Sequence, residues 1–186
     1  MGGYVSCSRV DYRAEYGRAA LTDGAGYGRR SCGQDALFMA CYHLHMSSIS
    51  RAAIYSDLPP QEDHDTDIDD LIDTSRRLWH VNWVRIRDIS RRSGGPGYAL
   101  LNIRMGVYIV LLDVKCMDGT VDRHCVVYVA HQEGGVLLDN DPRCDVIFVE
   151  DRDRECPDRA NAVWHGLFPT SHSVRVTAAY HMIRIF

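Results

Sequence analysis

The sequence predicts an α+β fold with N-terminal helices packed on an antiparallel sheet. Three observations carry this. Ala36, Leu37, Ala40, Cys41 and Leu44 recur at helical spacing, as do Ile68, Leu71 and Ile72. From Gly106 onward that spacing gives way to runs rich in valine, isoleucine and tyrosine. Met117-Asp-Gly119 and Glu133-Gly-Gly135 punctuate those runs as hairpin turns do. Helices and strands are thus segregated along the chain rather than alternating, which separates this class from α/β.

Residues 1–31 are polar and glycine-rich and read as loop, with a short helix near Val10–Ala20. Within them, residues 1–22 form an arm on the domain. The first firm helix covers 33–47 and buries the apolar face just named. Ser48–Tyr55 continues as a second helix, broken by Pro59-Pro60 and the acidic stretch Gln61–Asp65. Thr66 is the expected N-cap of the next helix. Asp67, Asp69 and Asp70 crowd its first turn, and Arg76 and Arg77 lie near its end, as the macrodipole favours. Its buried face is Ile68, Leu71, Ile72, Ser75, Leu78 and Trp79. Val81–Ile86 reads as a strand and Ser93-Gly-Gly-Pro-Gly97 as a loop. Strands follow at Gly106–Lys115, Val121–Ala130, Val136–Asp139 and Val146–Val149. After charged Glu150–Arg159 come a short helix near Ala160–Leu167 and a closing strand, Ser173–Phe186. Trp79, Trp83 and Trp164 are expected in the core rather than in a base-stacking platform.

The 186 residues suit one domain, 1–186, with a sizeable core. A net charge of -4 argues against broad nucleic-acid binding through a basic surface. The seven cysteines are odd in number and form no CxxC pair. A reducing, cytoplasmic or otherwise intracellular setting is therefore expected. The chain starts without the apolar region of a signal peptide, and no run reaches membrane-spanning length. Met1-Gly-Gly-Tyr-Val-Ser6 fits the myristoylation pattern at Gly2, a short pattern often met by chance. No membrane partner is expected from it.

The chemistry centres on Cys32. A glycine-studded loop, Asp23-Gly-Ala-Gly-Tyr-Gly28, leads to this cysteine, and a helix opens directly after it. Backbone N–H groups and the macrodipole at a helix start favour a thiolate. Gly33, next in the chain, would let a substrate backbone approach closely. A thiol hydrolase also needs an imidazole and a group to orient it. His124 heads a hydrophobic strand, on the face shared by Val126 and Tyr128. Asp139 ends the following strand, where a hairpin brings it to His124. Asn140 and Asp141 compete with Asp139, because one register step exchanges the faces. Cys41 lies deeper along the helix and is read as core. No cofactor is expected. A zinc site built from Cys116, Cys125, His131 and Cys144 is the chemical rival, but alternating strands would scatter those ligands.

Ser31-Cys-Gly-Gln-Asp-Ala-Leu37, His124-Cys-Val-Val-Tyr128 and Leu137-Leu-Asp-Asn140 together resemble the papain-like cysteine peptidase superfamily. Within it they look most like the compact ubiquitin-directed Josephin and OTU types, and like the protease-like domains of some retroelement and viral polyproteins. The resemblance implies a papain-like fold and a cysteine-dependent hydrolase working through a thioester. Cys32 would be its nucleophile, His124 its base and Asp139 the orienting acid. It implies a protein or peptide substrate, with ubiquitin or a ubiquitin-like tail first and polyprotein processing second. One departure stands out. Such enzymes often carry a glutamine shortly before the cysteine as an oxyanion donor, and no Gln or Asn occurs before Cys32. The Cys32 N–H would supply one donor, and Tyr27 or the glycine loop another. The same departure suits a catalytically degenerate binding module.

Overall fold

The computed structural model describes residues 31–44, 46, 49–60, 66–87, 89–139 and 146–185. The expected Val10–Ala20 helix and the N-terminal arm lie outside them. Helices α1 (Cys32–His43), α2 (Arg51–Asp57) and α3 (Ile68–Trp79) come first. Strand β1 (Val81–Arg85) and helix α4 (Gly95–Leu101) follow. Then come β2 (Gly106–Lys115), β3 (Val121–His131), β4 (Gly134–Leu138), β5 (Ile147–Glu150), α5 (Pro157–Gly166) and β6 (Ser173–Arg184).

Local chemistry explains most boundaries. Ser50 starts α2 by accepting the Ala53 N–H at 3.1 Å. Asp67, not Thr66, caps α3, accepting the Asp69 N–H at 3.0 Å. Thr66 is occupied elsewhere, taking the side-chain amide of Gln34. His80, at φ 54°, ends α3 in the left-handed region. The 93–97 segment is not all loop, because α4 begins at Gly95. Pro96 sits in the first turn, where its missing N–H breaks no helical bond. Gly97 is required by packing: a Cβ there would lie 2.8 Å from Trp164 Cδ1. Proline in the first turn likewise lets α5 start at Pro157, ahead of the expected Ala160.

The six strands form one antiparallel sheet in the order β1-β6-β2-β3-β4-β5. Strands β2 to β5 make the expected meander. The closing strand β6 inserts between β1 and β2. Helices cover both faces, so the expected single layer of N-terminal helices is half of the arrangement. On one face α1, α2 and α3 pack over Trp83, Ile109, Cys125, Val127, Val129 and Met182. On the other, α4 and α5 pack over Tyr108, Val110, Val126, Tyr128, Leu137 and Ala179. All three tryptophans are buried in these cores. Fully burying a large apolar side chain contributes about 2 kcal/mol, so each core is a substantial stabilising unit. Among the described residues, no helix is long and apolar enough to cross a membrane.

Candidate active site

The start of α1 is unusual for a helix end. Ser31 and Cys32 are buried, at 2% and 9% exposure. Ser31 occupies the N-cap position, but its side chain makes no cap bond to the helix N–H groups. Its hydroxyl donates instead to Asp35 Oδ2 at 3.0 Å. Asp35 is itself buried, accepts the Tyr55 hydroxyl at 3.0 Å and pairs with Arg51 Nε at 2.8 Å. The Arg51 guanidinium also lies over the Phe38 ring, 5.2 Å from its centre.

His124 reaches this helix start from β3. Its Nε2 lies 2.9 and 3.0 Å from the two Asp139 oxygens. The register explains why. Val127 pairs with Leu138 in the β3–β4 ladder. One further step sets Asp139 opposite Val126, with His124 two residues along on the same face, within diagonal reach. The Phe168 ring meets the imidazole edge-on at 5.0 Å. Asp139 is fully buried, whereas the His124 side chain keeps 17% exposure.

Burial works against charge on His124. Hydrogen bonds to Asp139 and Cys32, and the charges of both, outweigh it and raise the ring's pKa to about 10. The imidazole is thus hydrogen-bonded to the acid, with the thiol close enough to act on the ring. With Nε2 turned to Asp139, the ring nitrogen left for Cys32 is Nδ1. Cys125, beside His124 in the chain, faces the α1 side. Burial first, then the charges of Cys32 and Asp139, hold its thiol well above the ordinary range. Burial alone pushes Cys41 up to about 12. Both stay neutral thiols at neutral pH.

The structure thus brings Cys32, His124 and Asp139 together, by a route that differs from the expected one. Val126 and Tyr128, which share the His124 face, look away from α1 toward α4 and α5. The His124–Asp139 pair belongs to that second face and Cys32 to the first. They meet where β4 has ended and, among the described residues, β3 is paired only with β2. Gly33 also has a different role. It is buried, and a Cβ there would lie 2.9 Å from Leu71 Cδ1, so it allows α1 to approach α3 rather than a substrate. Tyr27, Asn140 and Asp141 lie outside the described residues. Of the alternative zinc ligands, Cys116 bonds Asp122 Oδ2 at 3.5 Å in the β2–β3 hairpin, and Cys125 is buried. Cys144 lies outside the described residues. Among them, no group of three or more His, Cys, Asp or Glu side chains is placed to hold a metal.

The sequence reading missed Asp35, Arg51, Tyr55 and Phe168. The i, i+4 spacing of Ser31 and Asp35 was a visible signal. The rest is tertiary. No family model matches the chain, and no curated protein matches it in sequence.

Proposed function

We propose that the protein is a papain-like cysteine hydrolase acting on a protein or peptide carbonyl. The observation that carries this reading is the His124 ring hydrogen-bonded to Asp139 and close enough to Cys32 for the thiol to raise its pKa, at a helix start that Ser31 does not cap. His124 takes the Cys32 proton, which leaves a thiolate beside an imidazolium. The thiolate attacks the carbonyl carbon, and the oxyanion forms near the N–H groups at the start of α1. His124 gives its proton to the leaving amine, and the acyl group remains on Cys32 as a thioester. His124 then takes a proton from water, which attacks the thioester and releases the acid. Asp139 holds the ring in orientation throughout.

The leading substrate is the C-terminal tail of ubiquitin or a ubiquitin-like protein, in an intracellular, reducing compartment. This part rests on the likeness of the three motifs to ubiquitin-directed enzymes. A second reading, a papain-like module that binds a partner without turnover, is favoured by the absence of Gln and Asn before Cys32.

Two probes test the proposal. Limiting iodoacetamide at neutral pH is expected to modify Cys32 ahead of the other thiols, as mapped by mass spectrometry. Even labelling of all accessible thiols overturns the enzyme reading. A ubiquitin bearing a C-terminal vinyl electrophile is expected to form a covalent adduct at Cys32. Modification by iodoacetamide but not by that probe keeps the hydrolase and removes ubiquitin as substrate.

A further inference from the structure

The first turn of α1 is over-determined in a way that helix stability does not require. An N-cap serine ordinarily turns its oxygen back to a helix N–H, contributing about 1 kcal/mol. Ser31 makes no such cap and donates to Asp35 instead. Asp35 is 2% exposed and is held from α2 by Tyr55 and Arg51. A buried carboxylate is costly unless paired and hydrogen-bonded, and here three groups converge on it. Gln34, also buried, ties the same turn to Leu58 O at 3.3 Å and to Thr66 Oγ1 at 2.8 Å. Residues on both sides of Cys32 are thereby fixed to the chain that follows. The N-cap serine leaves the helix N–H groups uncapped by its own hydroxyl, at the place where an oxyanion would form.

Building on the hydrolase reading, we infer that Asp35 is a positioning residue, which draws the Ser31 hydroxyl off the helix end and locks the backbone carrying Cys32 against α2. Arg51 keeps the Asp35 charge compensated next to a working thiolate. Burial and the Asp35 charge hold the Tyr55 phenol well above its usual range, so Tyr55 remains a donor at any working pH. The arrangement has two effects. It sets the direction of the Cys32 side chain toward His124, and it prevents Ser31 from occupying the donors the reaction uses. Catalytic groups need placement within about half an ångström, so loss of one tie is felt as rate before it is felt as unfolding.

Asp35→Asn alone strands Arg51 in the interior, so Ser31→Ala and Tyr55→Phe are the working variants. Ser75→Ala is the control, because it removes a buried hydrogen bond of similar kind, donated by the Trp83 indole N–H at 2.7 Å, between α3 and β1. The readouts are the iodoacetamide rate at Cys32 from about pH 5 to about pH 9, and the thermal midpoint. Ser31→Ala and Tyr55→Phe are each expected to slow modification about tenfold near neutral pH, with the acid side of the profile lost first. Ser75→Ala is expected to lower the midpoint by as much while leaving the rate within about twofold of wild type. If Ser31→Ala and Tyr55→Phe both react at the wild-type rate, or the control slows as much as they do, the positioning role is overturned. A wild-type protein in which Cys32 is not the preferred thiol overturns the hydrolase reading instead, so the two failures are distinct.

Discussion

Helices α1 and α3 are both twelve residues long and pack on the same sheet face, yet they begin in opposite ways. The start of α3 is finished for stability. Asp67 caps it, Asp69 and Asp70 complement the dipole, and the turn is largely open to water. The start of α1 is buried, and its serine is turned away from the helix N–H groups to Asp35. A protein that caps one helix with its N-cap side chain turns the other N-cap side chain away, beside the residue where a thiol meets an imidazole. An N-cap serine contributes about 1 kcal/mol of stability when it caps, so its diversion to Asp35 signals a use other than holding the fold together.

The largest expected effect breaks the comparison at its centre. Cys32→Ala should abolish reaction with the ubiquitin electrophile, and any hydrolysis, while the urea midpoint stays close to wild type. Retained turnover removes the proposed nucleophile. Cys41→Ala, two turns further along α1 in the core, should behave conversely, keeping reactivity and losing about 1 kcal/mol from a small buried group. Next in size is the imidazole's partner. Asp139→Asn preserves shape and removes charge, so Cys32 modification at neutral pH should slow about tenfold or more. Asp139→Ala should slow it further. Equal rates for Asp139→Asn and wild type would show that orientation, not charge, is what the acid supplies.

A smaller effect lies in the pH dependence of stability. His124 has a folded pKa of about 10 against an ordinary 6.5. Its protonated ring is therefore favoured by the fold. That contribution is complete below about pH 6.5 and is lost as pH rises through about 10. Urea midpoints should fall across this window. Cys41, Cys125 and the buried tyrosines, held neutral by the fold, add loss in the same direction at its alkaline end. The difference between wild type and Asp139→Asn isolates the histidine, and that difference should shrink as pH rises. A constant difference from pH 6.5 to 10 contradicts an imidazolium bonded to Asp139. The smallest effect sharpens the comparison from the other helix. Asp67→Ala should cost about 1 kcal/mol and leave Cys32 reactivity unchanged.

What the sequence made legible was local. Strand alternation located β2, β3 and β6 to within a few residues, because their inward residues are uniformly apolar and the Asp118-Gly119 turn fixes a hairpin. Cys32 and Asp139 were visible because each sits at the end of a recognisable element, and His124 because it leads the apolar run of β3. The α4 helix was not, since Gly94, Gly95 and Gly97 read as loop until Trp164 is seen packed against Gly97. Gly33 was read as open space for a substrate, although only the approach of Leu71 from α3 gives it its role. The face of His124 was misjudged for a similar reason. Alternation tells which residues share a face, but not which helix covers it. Asp35 was hidden because Arg51 and Tyr55 reach it across a helix–helix contact, which no spacing in one chain encodes.

The meeting of Cys32 and His124 from opposite faces of the sheet has one more consequence. The thiol is carried by one hydrophobic core and the imidazole–carboxylate pair by the other. Proteins open in pieces, and these two layers are natural units for such opening. Lifting α1 removes the sulfur, and loosening the segment around Phe168 frees the ring. Either event silences the site while the strands remain paired. The reactivity of one sulfur atom thus reports on two separate openings, and will fade with heat or denaturant before the bulk spectroscopic signal of the sheet does.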